Sequence, residues 1–180
     1  MPKPKISSDW LAGCAGCHMS LLDIDERILQ VLELADLRST PITDLKQPDV
    51  TGVDVGILEG GINNSTNAEV AHTMRKRCGI LVALGDCAVF GGVPAMRNFF
   101  TIEESLRRAY IETESTDSEG KIPDDPELAV PQRVQAVNEV VPVDIFVPGC
   151  PPSADVIFYV LSELAQGRKP ELKDDLLHWH

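Results

Sequence analysis

Short apolar runs alternate along this chain with longer stretches in which apolar positions recur at helical spacing. Val53 to Leu58, Ile80 to Leu84 and Val143 to Val147 are mostly apolar, and a glycine follows each within two residues. That is the mark of buried parallel strands ending in tight turns. Ile6 to Leu11 predicts a weaker first strand, interrupted by Ser7, Ser8 and Asp9. Leu21, Leu22, Ile24, Ile28, Leu29, Val31, Leu32 and Leu34 fall on one broad helical face, with Asp23, Asp25, Glu26 and Glu33 mostly elsewhere, and predict a first helix. Asn67 to Arg77 predicts a second, with Asn64, Ser65 or Thr66 as its cap and three cations in its last turn. Thr101-Ile102-Glu103-Glu104 carries a capping signal for a third helix running to about Tyr110. Ser153 to Gln166 predicts a fourth, opened by Pro151 and Pro152 and stopped by Gly167, with Val156, Ile157, Val160, Leu161 and Leu164 turned inward. Strands and helices in alternation predict an α/β fold, a doubly wound parallel sheet with helices on both faces.

The 180 residues suffice for one substantial core, so a single domain is expected over 1–180 with its core at about 6–166. From Glu112 to Pro131 the chain is acidic and punctuated by proline, which predicts a solvated, mobile loop. Residues 167–180 predict a tail, in which His178-Trp179-His180 is a short run better explained as surface or contact than as a metal site.

Charge narrows the function. With 28 acidic against 16 basic residues the net charge is -12, which repels phosphate backbones and anionic membrane surfaces, so neither nucleic acid nor membrane is an expected partner. No apolar run approaches the ~18 residues that span a bilayer. The start Met1-Pro2-Lys3-Pro4 has no apolar stretch of the signal-peptide kind, which points to the cytoplasm. Thiols stay reduced there, so clustered cysteines favour metal binding or catalysis over disulfides.

Of the five cysteines, Cys14 and Cys17 form Cys14-Ala15-Gly16-Cys17 after the first predicted strand, Cys87 follows the Ile80 strand and Cys150 follows the Val143 strand. In an open parallel sheet all strands point one way and ligands bind beyond their C-terminal ends, so these four converge on one edge. Four thiolates so gathered, with Gly13, Gly16, Gly85, Gly91, Gly92 and Gly149 beside them to free backbone amides, are a ligand set for a 4Fe-4S cluster. A four-cysteine zinc site usually pairs two Cys-x-x-Cys knuckles, and only one is present. Cys78, alone, reads as a small buried apolar residue.

Gly13-Cys14-Ala15-Gly16-Cys17-His18-Met19-Ser20, Gly85-Asp86-Cys87-Ala88-Val89-Phe90-Gly91-Gly92-Val93-Pro94-Ala95-Met96-Arg97-Asn98 and Pro148-Gly149-Cys150-Pro151-Pro152-Ser153 together resemble the small subunit of nickel-iron hydrogenases, specifically the soluble, bidirectional NAD-reducing type. The resemblance spans roughly residues 10–166 and implies a flavodoxin-like fold. It implies one 4Fe-4S cluster on Cys14, Cys17, Cys87 and Cys150, next to a nickel-iron centre held by a separate large subunit. It also implies electron exchange with a diaphorase module carrying FMN and further iron-sulfur clusters, for the overall reaction H2 + NAD+ = NADH + H+. No catalytic residue is expected in this chain itself. Glu59 occupies a glutamate position of the family, which implies a role at the subunit boundary or in proton movement, against the alternative of a strand-end carboxylate that caps the next helix. Arg97 falls where the family meets its large subunit, against the alternative of a solvated arginine.

Three other functions share parts of the pattern. Small subunits of deazaflavin- or heterodisulfide-linked hydrogenases have similar Ala-Gly-Cys and Gly-Cys-Pro-Pro elements. The quinone-reducing complex I subunit belongs to the same superfamily but typically has adjacent cysteines in its first motif, unlike Cys14 and Cys17. A flavin-binding flavodoxin would carry a Ser/Thr-rich phosphate loop where Cys14 to Cys17 stand, and fold alone does not decide function. His18 and His72 are better explained as structural or exposed than as a proton relay.

Overall fold

The computed structural model describes residues 2–44, 52–173 and 176. Strands β1 (Lys5–Trp10), β2 (Asp36–Ser39), β3 (Val53–Glu59), β5 (Cys78–Leu84) and β7 (Ile145–Val147) form one parallel sheet in the order β2-β1-β3-β5-β7. A separate antiparallel pair joins β4 (Ile62–Asn64) to β6 (Pro131–Gln135). With that pair set aside, the five parallel strands follow the 2-1-3-4-5 order of flavodoxin-like folds.

Helices α1 (Gly16–Leu22), α2 (Ile28–Leu34) and α6 (Ala154–Ala165) cover one face. There Ile6, Val55, Ile57, Val82 and Val147 pack on Leu21, Ile24, Val31 and the inward stripe of α6. On the other face, α3 (Ser65–Arg77) and α4 (Asp86–Phe90) bring Ala71, Met74, Ala88 and Val89 onto Leu58, Leu81 and Ala83. The five expected residues of α6 are all buried, and truncating one, as in Leu161→Ala, should cost about 2–5 kcal/mol. Asn64 caps α3 by accepting from the Asn67 amide at 2.8 Å, and Thr101 and Glu104 form a full capping box on α5 (Ile102–Tyr110).

The first helix differs from its expected form. It begins at Gly16 and breaks after Leu22; a 3-10 turn over Asp25–Arg27, with Asp25 at φ +56°, leads into α2. The break lets Leu21, Ile24 and Val31 all reach the core while Leu22, Leu29, Leu32 and Leu34 stay exposed, so the apolar face is only half used. Residues 111–130 hold no helix or strand and are mostly exposed, with Val130 joined to Ser65 by two hydrogen bonds.

Register places the site. Trp10 pairs with Glu59, Glu59 with Leu84, and Leu84 with Val147, so these four residues form one row across the sheet. Every loop leaving that row starts from the same edge.

Candidate metal centre

Cys14 and Cys17 lie beyond Trp10, Cys87 beyond Leu84 and Cys150 beyond Val147, so all four follow the row at the C-terminal edge. Backbone bonds lace their loops together. Ala12 and Gly61 exchange N–H···O bonds of 2.9 and 2.8 Å, joining the loop after β1 to that after β3. The loops of Cys87 and Cys150 are cross-braced: the Asp86 amide donates to the Gly149 carbonyl at 2.9 Å and the Gly149 amide to Asp86 Oδ1 at 2.7 Å. Ser20 of α1 donates to the Pro152 carbonyl at 2.6 Å, tying the Cys17 helix to the Cys150 loop.

Two glycines make the room the sulfurs occupy. A Cβ at Gly85 would stand 2.3 Å from Cys17 Sγ, and Gly85 has φ +82°, where a side chain is strained in any case. At Gly92 (φ +48°) a Cβ would come within 2.9 Å of the Cys87 backbone and 3.0 Å of its sulfur. Amides already face the sulfurs: Gly16 N–H donates to Cys14 Sγ at 3.4 Å, and the Val93 amide is near enough to the Cys87 thiol to favour its thiolate.

The thiols feel one another. Burial pushes the Cys17 thiol far above its ordinary value, and Glu59, Cys87, Cys14 and Cys150 push it further. Cys87 is also raised, by burial first; the Val93 amide pulls it down, while Cys150, Cys14 and Asp86 push it up. Four thiolates can coexist here only if a cation neutralises them, so the donor set suits a positively charged metal group. Among the described residues no three His, Cys, Asp or Glu side chains are gathered closely enough for a single metal ion. A zinc tetrahedron takes bonds of about 2.3 Å, whereas an iron-sulfur cubane interposes a whole cluster between its thiolates. The glycine cradle, facing amides and all-thiol donors fit such a cluster. Cys14 and Cys150 are exposed, so the site opens outward.

Beside the opening, α4 and a 3-10 turn (Val93–Phe99) present Phe90, Val93, Met96, Phe99 and Phe100, each 61–84% exposed. Arg97 turns away from that apolar face; its guanidinium donates to the carbonyls of Asn63 and Gln132, while Asn98 exchanges two 2.8 Å bonds with the Val134 backbone. Both therefore fasten the turn to the β4–β6 pair. Cys78 is buried in the core, and His72 is exposed on α3. His178, Trp179 and His180 lie outside the described residues.

Glu59 and His18 hold a contact that sequence spacing did not reveal. His18 is fully buried, its backbone N–H donates to Glu59 Oε2 at 2.6 Å, and its Nδ1 lies 2.5 Å from the same oxygen. Ser8 Oγ meets its Nε2 at 2.9 Å. Glu59 thus caps a helix, but it is α1, which precedes it, rather than the next helix of the chain.

The domain is of the parallel α/β class, with four thiols and a glycine cradle gathered at the C-terminal edge of its sheet. Residues 14–164 match the family described as NADH ubiquinone oxidoreductase, 20 Kd subunit, and the chain belongs to that family. It is 39% identical to the NAD-reducing hydrogenase HoxS subunit delta of Cupriavidus necator, over 97% of this chain and 84% of that one. It is 40% identical to a subunit of the F420-non-reducing hydrogenase of Methanothermobacter marburgensis, over 94% of this chain but only 56% of that relative, so it spans about half the relative's length. A chain of the crystal structure of NAD+-reducing [NiFe]-hydrogenase in the H2-reduced state superposes with a TM-score of 0.93 at 39% identity, covering 99% of this chain and 100% of that one. The reduced NiFeSe hydrogenase of Desulfomicrobium baculatum, at 19% identity and a TM-score of 0.60, shares the fold over 97% of this chain and 68% of that one.

Proposed function

We propose that this chain is the electron-transfer small subunit of a cytoplasmic NAD-reducing nickel-iron hydrogenase, catalysing H2 + NAD+ = NADH + H+ as part of a complex. The observation that carries the proposal is the convergence of Cys14, Cys17, Cys87 and Cys150 on one sheet edge, in a chain so similar to part of an NAD+-reducing [NiFe]-hydrogenase. Those four cysteines would hold one 4Fe-4S cluster, which when bound supplies one-electron transfer between a nickel-iron centre and a flavin. Gly85 and Gly92 leave space for the sulfurs, while the Gly16 and Val93 amides offset thiolate charge. No other cysteine accompanies Cys78, so this chain has ligands for a single cluster.

The apolar face from Phe90 to Phe100 fits a large subunit carrying the nickel-iron centre, whose docking would cover the open side of the site and keep water out. The further partner is a diaphorase module with FMN and additional iron-sulfur clusters. No helix of the described residues is long and apolar enough to cross a membrane, in keeping with a cytoplasmic complex. A heterodisulfide-linked hydrogenase is the second reading, favoured by the 40% identity to a component of an F420-non-reducing hydrogenase.

The test is iron and acid-labile sulfide content with EPR on the anaerobically purified complex, before and after H2. A cubane at this site that H2 reduces, with NAD+ accepting the electrons, is the expected result. Zinc at the site, or iron that H2 leaves oxidised, overturns the hydrogenase proposal; H2-reducible iron without NAD+ reduction moves it to the second reading.

A further inference from the structure

Helix α1 lacks the cap its sequence would ordinarily supply. The first amides of a helix have no partner within it, and a Ser, Thr, Asp or Asn side chain at the N-cap usually meets one of them. Here the N-cap is Ala15, in the left-handed region at φ +61° and with no side-chain acceptor. Two outside acceptors take over. Cys14 Sγ receives the Gly16 amide, and Glu59, 41 positions away at the end of β3, receives the His18 amide at 2.6 Å.

The same Glu59 oxygen fixes the His18 ring. An ionised carboxylate only accepts, so Nδ1 faces it as the donor, while Nε2 lies 2.9 Å from the Ser8 hydroxyl, which can either donate or accept. Trp10 stands edge-on to that ring with centroids 5.8 Å apart. The two side chains are 1% and 3% exposed, so the carboxylate has no solvent to turn to and keeps its hydrogen bonds to His18. The capped amide belongs to the residue directly after Cys17, and Cys17 Sγ sits where a Cβ at Gly85 would strike it at 2.3 Å. A small shift of this helix start would move that sulfur.

We propose that Glu59 is a positioning residue of the thiolate site: it supplies from β3 the cap that α1 lacks, and so holds Cys17 in place against Cys14, Cys87 and Cys150. This rests on the four cysteines holding a cubane, as proposed above. The experiment uses the anaerobically purified complex carrying Glu59→Gln, Glu59→Asp or Glu59→Ala. It reads iron and sulfide content, the EPR g-values of the reduced cluster, and the rate of iron loss to bathophenanthroline disulfonate.

Glutamine keeps an acceptor oxygen at the same reach, so Glu59→Gln should retain the wild-type g-values and rate of iron loss. Glu59→Ala, without an acceptor, and Glu59→Asp, charged but one methylene short, should shift the g-values and lose iron about fivefold faster, the factor matching a lost helix cap. Wild-type g-values and iron loss in the Asp and Ala variants would overturn the inference, as would a Gln variant disturbed as much as Ala. Should Ala fail to assemble, Asp against Gln decides alone. A wild-type complex without a cubane overturns the proposed function itself, and this inference with it.

Discussion

Cys78 opens β5, and Cys87 lies just past the end of the same strand. At the first position the thiol belongs to the core cluster of α3 and the sheet, pairs across from Val53, burial raises it, and the charges that reach it are those of Arg75 and Asp144. At the second, the backbone has turned out of the sheet through Gly85, the sulfur meets the Val93 amide, and two further cysteines act on it. The residue type is the same. What separates a core thiol from a candidate ligand is which end of a parallel strand it occupies, because loops and amide donors collect at the C-terminal end.

The sharpest way to break this comparison is to change each thiol to a hydroxyl. Cys87→Ser should abolish cluster EPR and H2-driven NAD+ reduction in the complex. Cys78→Ser should keep wild-type iron content and lose about 1–2 kcal/mol of stability from a poorly matched buried hydroxyl, measured by denaturant unfolding. Equal iron in the two variants would remove the distinction between the ends. Next in size is Gly85→Ala, whose added Cβ would meet Cys17 Sγ at 2.3 Å; iron per complex should fall by more than half while the chain still folds. Phe99→Asp, at the most exposed apolar residue of the cluster edge, should weaken association with the large subunit about tenfold or more in a pull-down, with no loss in thermal stability of the chain.

The smallest effect belongs to the Cys78 end. Asp144 accepts from the Leu81 amide at 2.7 Å and from Arg75 at 2.6 Å. Burial alone would raise its carboxyl, but these partners outweigh it and hold the group below its ordinary value. A carboxyl depressed in the folded state contributes stability above its unfolded value of about 3.9, lost as pH falls through the folded value. Asp144→Asn should therefore cost about 1 kcal/mol at neutral pH, a modest figure because the pair is partly exposed, and the difference should shrink as the pH falls through the depressed folded value.

Strands with an apolar run and a following glycine were legible: β3, β5 and β7 lie where Val53, Ile80 and Val143 predicted, with shifts of no more than two residues at their starts. The caps of α3, α5 and α6 were legible too, because each is a local contact three residues long. β2 was not: Asp36-Leu37-Arg38-Ser39 has no apolar run, and it is a strand because β1 offers a parallel edge. The short β4 and β6 exist only because residues some 70 positions apart pair, which no local signal announces. Within the site, the four cysteines could be assembled from strand polarity alone. The clasp of Glu59 on His18 could not, since neither residue's neighbours in sequence point to the other.

The row Trp10–Glu59–Leu84–Val147 also orders events in time. β7 is three residues long, sits at the sheet edge and, among the described residues, pairs with β5 alone, yet it delivers Cys150. The four sulfurs therefore come together only when a loop from Cys14 to Cys150, 136 positions in length (150 − 14), has closed, and closures of such separation are late and slow. On a ribosome, the first three thiols emerge well before the fourth. A cluster held by all four thiols could enter only after Cys150 has joined Cys14, Cys17 and Cys87 at the sheet edge, so the sheet must close before there is anywhere to put the iron.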